Sequence, residues 1–122
     1  MKRKVNITKR TLQFGIDIAK LVHKIPKTPA GFSLGGQLVR SGTAIGAEIQ
    51  EAQNSPSKKD FIYKINHALK EAKEARYWLI ILVNSGILSK QECECVFDEC
   101  SELIPILITI LKRTKENIKV KK

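Results

Sequence analysis

Apolar side chains recur along this chain at helical spacing, in four segments separated by breakers. The first segment reads as a helix from Thr8 to Ile25, ending at Pro26-Lys-Thr-Pro29 because proline disfavours a helical residue before it. Phe14, Ile18, Leu21, Val22 and Ile25 fall at i, i+4, i+7, i+8 and i+11, which makes one apolar stripe. Leu12, Ile16 and Ala19 lie nearly opposite it. One face of this helix serves a core. The other is spare, and a spare apolar face points to self-association.

The second segment reads as a helix from Leu34 to Gln53, with Gly35-Gly36 as a flexible start and Leu34, Leu38, Ile45, Ile49 and Ala52 as its core ridge. Another ridge carries Arg40, Ala44, Ala47 and Glu51. Small residues between opposite charges suit either a closely packed helix held in register or a solvated face with a weak ion pair. Gly42 and Gly46 each cost a helix about 1 kcal/mol relative to alanine, so packing has to compensate.

Asn54-Ser-Pro-Ser57 is a turn followed by a helix start, with Ser57 as N-cap and Asp60 three residues later. The third helix then runs from Lys58 to Asn84, about 40 Å at ~1.5 Å per residue, and Gly86 follows as its terminator. Its inner stripe is Phe61, Ile65, Ala68, Leu69, Ala72, Leu79 and Val83. Ser89-Lys-Gln-Glu92 is a capping box opening the fourth helix, where Cys93, Phe97, Cys100, Ile104, Leu107 and Leu111 share a face. Pro105 within that pattern predicts a kink near Ser101–Glu102.

With four amphipathic helices, short connections and no period-two segment, the fold class is all-α: an antiparallel up-and-down four-helix bundle with a kinked last helix. The 122 residues make one domain, with basic tails at 1–7 and 113–122.

Charge adds a direction to this architecture. The net charge is +10, and it sits at the ends. Residues 1–27 hold eight bases and one acid, residues 112–122 six bases and one acid, and the stretch between them eight bases and ten acids. In an even-numbered up-and-down bundle both termini emerge at one end. Lys2, Arg3, Lys4, Lys9 and Arg10 would then meet Lys112, Arg113, Lys115, Lys119, Lys121 and Lys122 in one basic pole. Such a pole suits the phosphate backbone of RNA or DNA, or else it keeps the protein soluble. No aromatics interleave with these bases, so backbone contact with little sequence preference is expected there.

Other chemistry is thinly supplied. His67, Glu71, Glu74 and Trp78 line one ridge of the third helix, but no Glu-x-x-His pair exists, so no metal and no cofactor are expected. Cys93 and Cys100 belong to the core stripe, Cys95 points elsewhere, and three thiols without an export signal suit a reducing cytoplasm. The apolar run Leu103–Leu111 is too short to span a bilayer. With no phosphate loop and no nucleophile elbow, enzymatic activity is not expected. Exposed Tyr63, Tyr77 and Ile81 offer a surface for a protein partner.

Two spaced motifs carry a resemblance: Gln37-Leu-Val-Arg-Ser-Gly-Thr-Ala-Ile-Gly-Ala-Glu-Ile-Gln-Glu-Ala52 with Ser57-Lys-Lys-Asp-Phe61, and Leu69-Lys-Glu-Ala-Lys-Glu-Ala-Arg-Tyr-Trp-Leu79. Together they resemble the 23S rRNA intervening-sequence proteins, a ribosomal-protein-like family of four-helix bundles related to the accessory protein of diversity-generating retroelements. The resemblance implies a homopentamer without an established catalytic role, which engages nucleic acid and a reverse transcriptase in the related branch. Its matching polar positions are Arg40, Ser41, Glu51, Lys58, Glu71, Glu74 and Arg76. The family usually has asparagine where this chain has Glu48, and Pro105 is atypical. Arg76, placed near the inner stripe, is expected to pair with Glu51 or Glu71, because an unpaired buried charge is costly.

Overall fold

The computed structural model describes residues 6–120, and the side chains of residues 6–117. Among them lie four helices: α1 (Ile7–Val22), α2 (Pro29–Gln53), α3 (Lys58–Asn84) and α4 (Lys90–Val120). They pack in sequence order, α1 on α2, α2 on α3 and α3 on α4, and a thinner α1–α4 seam closes the bundle.

Most helix ends follow the local chemistry. Asn6 caps α1, its side-chain oxygen accepting from Lys9 N at 3.0 Å. Ser57 caps α3, and the Ser89–Glu92 box closes reciprocally at 2.9 and 3.0 Å. The hydrogen bond from the Ser89 N–H holds the Glu92 carboxyl below the usual carboxylate range. Gly86 sits at φ 80°, with its own N–H on Val83 O and Ile87 N–H on Leu82 O, which is a Schellman end that needs a residue tolerant of positive φ.

The α1–α2 connection departs from the expected boundaries. Helix α2 begins at Pro29, five residues earlier than the apolar pattern places it, and α1 ends at Val22 rather than Ile25. Thr28 is the N-cap, accepting from Gly31 N at 3.0 Å, and Pro29 occupies the first helical position, where its missing N–H costs nothing. The second proline of Pro26-Lys-Thr-Pro29 starts a helix; it does not prolong the break.

The core is continuous, from Phe14 and Ile18 of α1 through Leu38, Ile45 and Ile49 of α2 and Ile65, Leu79 and Leu82 of α3 to Leu103 and Leu107 of α4. Two glycines of α2 serve the α1 seam. A Cβ at Gly42 would lie 2.9 Å from Ile18 Cγ2, and one at Gly46 3.2 Å from Thr11 O. Between α3 and α4 the buried Cys100 Sγ donates to Ala72 O at 3.2 Å. Helix α4 continues through Pro105 without interruption, with Leu103 and Leu107 buried on either side.

Candidate nucleic-acid interface

The antiparallel order points the start of α1 and the end of α4 the same way, but Arg10 meets Glu99 and Glu102, so the turns from Lys112 on lie about 15 Å further along α4, at ~1.5 Å per residue. Lys9 is exposed on the first turn of α1, and Lys112, Arg113 and Lys115 are exposed on the last turns of α4. Lys2, Arg3, Lys4, Lys121 and Lys122 lie outside the described residues, as does the side chain of Lys119.

Arg10 is placed differently from its neighbours. Its Nε donates to Glu99 Oε2 at 2.8 Å, and its Nη2 to Glu99 Oε1 at 2.6 Å and Glu102 Oε1 at 3.1 Å. The hydrogen bonds to Glu99 raise the guanidinium pKa. Planar two-pronged recognition of a carboxylate is what arginine does best. Arg10 therefore cross-links α1 to α4 at their thin seam and adds no unbalanced positive charge to the pole. Nothing local announces Glu99 and Glu102 as its partners, since they are about ninety residues away.

Of the polar positions in the two sequence motifs, Arg40, Glu51, Glu71 and Glu74 work between α2 and α3. Arg40 donates to Glu71 at 3.1 Å and to Glu74 at 2.5 Å, and those contacts, Glu74 foremost, raise its pKa. Glu51 receives Lys64 Nζ at 2.5 Å and raises the lysine pKa. Between these two bridges Ala44 is half-buried and Ala47 exposed, so the ridge is a solvated face tied to α3 at both ends by surface ion pairs. Ser41 is fully buried, its hydroxyl donating to Gln37 O at 2.9 Å, and Lys58 is the first residue of α3.

Arg76 corrects the expected pairing. Glu71 is held by Arg40 and Glu51 by Lys64, while Arg76 is exposed and its guanidinium lies 5.1 Å from the centroid of Phe97 on α4. The side chain sits on the rim of the α3 inner stripe and covers an aromatic ring, so it needs no buried counter-charge. Glu48 Oε2 lies 3.9 Å from His67 Nδ1 and Glu48 Oε1 3.8 Å from Lys64 Nζ.

The spare face of α1 stays uncovered. Leu12 is 57% and Ile16 40% exposed, and with Gly15, Ala19, Gly46 and Ala47 they line an apolar groove between α1 and α2. A second groove, between the end of α3 and the start of α4, is lined by Ile80, Val83, Cys93, Phe97, Glu94 and Asp98. Tyr63 and Tyr77 are exposed, and Ile81 is half-buried. Among the described residues no three His, Cys, Asp or Glu side chains gather as a metal site would require, and no helix is long and apolar enough to cross a membrane.

The three thiols differ sharply. Burial raises the Cys93 pKa and pushes Cys100 up to about 12, whereas Cys95 is exposed. Reactivity follows the accessible thiolate. Thiol titration of the native protein at neutral pH is expected to count Cys95 quickly and Cys93 and Cys100 only after denaturant is added. Equal native rates for all three would contradict this packing.

Comparison with known proteins places the chain. A family model described as 23S rRNA-intervening sequence protein matches residues 3–109. Among solved structures, a protein of unknown function from the S23 ribosomal protein family of Bacteroides thetaiotaomicron superposes with a TM-score of 0.82 at 36% identity, covering 87% of this chain and 98% of that one. No curated protein matches. With the family model spanning most of the bundle and a solved member sharing its fold, this chain belongs to the 23S rRNA-intervening sequence protein family.

Proposed function

We propose that the protein is a non-enzymatic, cytoplasmic helical bundle that assembles into a homopentameric ring and binds the backbone of RNA or DNA with low sequence specificity. The observation that supports this reading is the exposed run Lys112, Arg113 and Lys115 on the last turns of α4, with Lys9 exposed on the start of α1, whereas Arg40, Lys64 and Arg10 each face carboxylates. The family name supplies an RNA context. A cyclic assembly would repeat the basic end around one rim and multiply its potential.

The test is filter binding across a salt series. Affinity should fall steeply with salt, and the triple variant Lys112→Gln, Arg113→Gln, Lys115→Gln should flatten the logarithmic slope by about 2–3 on duplex, at ~0.9 per phosphate no longer neutralised. No binding at low salt, or binding indifferent to salt, would sink the reading. For the ring, Leu12→Glu with Ile16→Glu should yield monomers of unchanged helicity by light scattering. An assembly that survives both charges would move the interface off α1.

A second reading, an adaptor for a reverse transcriptase or other nucleic-acid enzyme, draws on Tyr63, at 60% exposure, and Tyr77, at 57%. Its test is co-purification with a polymerase encoded alongside, which Tyr63→Ala and Tyr77→Ala should abolish.

A further inference from the structure

Helix α3 carries an exposed stripe that the basic pole does not account for. Lys59, Tyr63, Asn66, Lys70, Lys73 and Tyr77 follow one another at alternating steps of four and three residues, which keeps them on one side of the helix, and all six are exposed. At ~1.5 Å per residue the two tyrosines are about 21 Å apart along the axis. This is the alternation of bases and aromatics that the chain termini lack.

Three features suit the stripe to a particular ligand. The first is charge: the single Arg40 guanidinium engages both Glu71 and Glu74, so only one of their two negative charges is left to set against Lys59, Lys70 and Lys73, and the stripe stays positive. The second is how the rings are held. Tyr63 lies against His67 with centroids 4.5 Å apart, and Tyr77 meets Trp78 edge-on at 5.2 Å. A ring already braced by another loses less freedom when something stacks on its outer face. The third is shape: Asn66, Leu69, Lys70, Lys73, Glu74 and Tyr77 line a shallow open depression beside the second ring.

We propose that this face of α3 is a stacking platform for unpaired bases of a single-stranded nucleic acid. The inference rests on the nucleic-acid reading of the basic pole and adds the substrate class. Every base has a π-face, so a tyrosine accepts any of them, while the lysines between the rings follow the phosphates and the Asn66 amide can meet a base edge. Paired bases present no free face to these rings, so the platform discriminates strand from duplex without reading sequence. It ends beyond Tyr77, where Glu94 and Asp98 of α4 border the neighbouring groove and would repel phosphate. At its other end, counting along the antiparallel α3 and α4 from the Cys100–Ala72 contact puts Lys59 at about the axial level of Lys112 and Arg113.

The experiment compares a mixed-sequence RNA strand lacking secondary structure with the duplex it forms, at equal phosphate concentration, for four proteins. These are the natural chain, Tyr63→Ala with Tyr77→Ala, Tyr63→Phe with Tyr77→Phe, and the Lys112→Gln, Arg113→Gln, Lys115→Gln variant. Alanine favours helix, so circular dichroism should show all four folded. The alanine pair is expected to lose roughly tenfold or more per ring on the strand, with duplex affinity unchanged, and the phenylalanine pair is expected to bind like the natural chain. The pole variant should weaken on both ligands. Unchanged strand affinity in the alanine pair, with pole-dependent binding intact, would overturn the platform and leave the pole reading standing. If those same alanines instead abolish binding to a purified acidic protein, the face belongs to a protein partner. Failure of the natural chain to bind either RNA at low salt would overturn both proposals together.

Discussion

Phe14→Ala should destabilise the fold by about 3–5 kcal/mol, the largest loss expected from a single truncation on α1. The ring is 1% exposed, within the core cluster that joins all four helices. Alanine removes the apolar transfer gain and leaves a cavity that a bundle packed on every side closes only in part. Domains of this size are typically stable by about 5–15 kcal/mol, so the variant would stand near its limit. Urea denaturation should show a lower midpoint with a similar slope, and a loss below about 1 kcal/mol would contradict the burial. Leu12, two residues earlier on the same helix, provides the contrast, because it is 57% exposed. Leu12→Ala should shift the stability of the subunit by about 0.5 kcal/mol or less. A loss rivalling that of Phe14→Ala would mean that the assembly buries this face.

Gly31→Ala should be the most damaging way to add one methyl group to this protein, at about 2 kcal/mol or more. A Cβ at Gly31 would stand 2.1 Å from Pro26 O, 3.0 Å from Ile25 Cγ2 and 3.1 Å from Thr28 Oγ1. Side chains can turn aside, but the Pro26 carbonyl cannot, because it accepts the Thr28 N–H at 2.9 Å inside the tight α1–α2 connection. The overpacking cost, typically about 1–3 kcal/mol and more where backbone must move, outweighs the gain of about 1 kcal/mol from exchanging glycine for alanine in a helix. Gly36→Ala isolates that gain. Nothing lies within 4 Å of a Cβ there, so the same substitution five residues on should stabilise by up to about 1 kcal/mol. Thermal unfolding should therefore move in opposite directions for the two variants. A shared direction would refute the packing at Gly31.

Much of the architecture can be read from short stretches of the chain. The Ser57 and Ser89 caps, the Gly86 end and the bounds of α3 follow from groups within a few residues of one another, and local chemistry decides such features. The start of α2 departs from the apolar pattern for a local reason as well. Pro29 reads as a breaker when taken with Pro26, and as a first helical residue once Thr28 is seen as its cap. The Leu12–Ile16 face is legible too, because periodicity alone separates two sides of a helix.

The candidate site is legible only in its composition. Counting charges locates the basic ends, yet it cannot tell Lys9, which is exposed at the pole, from Arg10, which is tied to Glu99 and Glu102. Nor can it choose Arg40 over Arg76 as the partner of Glu71. A helical projection of α3 would show Tyr63, Lys70, Lys73 and Tyr77 on one side. What it cannot show is that Arg40, on another helix, engages the acids beside them.

The sequence by itself determined the helices, most of their ends, their apolar stripes and the sign of the charge at each terminus. Periodicity and capping act within about one or two turns, so the chain carries that information locally. The tertiary structure alone decided which charges cancel and which remain free. Ion pairs such as Arg10–Glu99 and Lys64–Glu51 depend on which helices lie side by side and at what register. That register is set by packing across the whole core, including glycines at Gly42 and Gly46 that let α1 approach. The charge balance around the α3 stripe is therefore a property of the bundle, although every residue in it can be read from the chain.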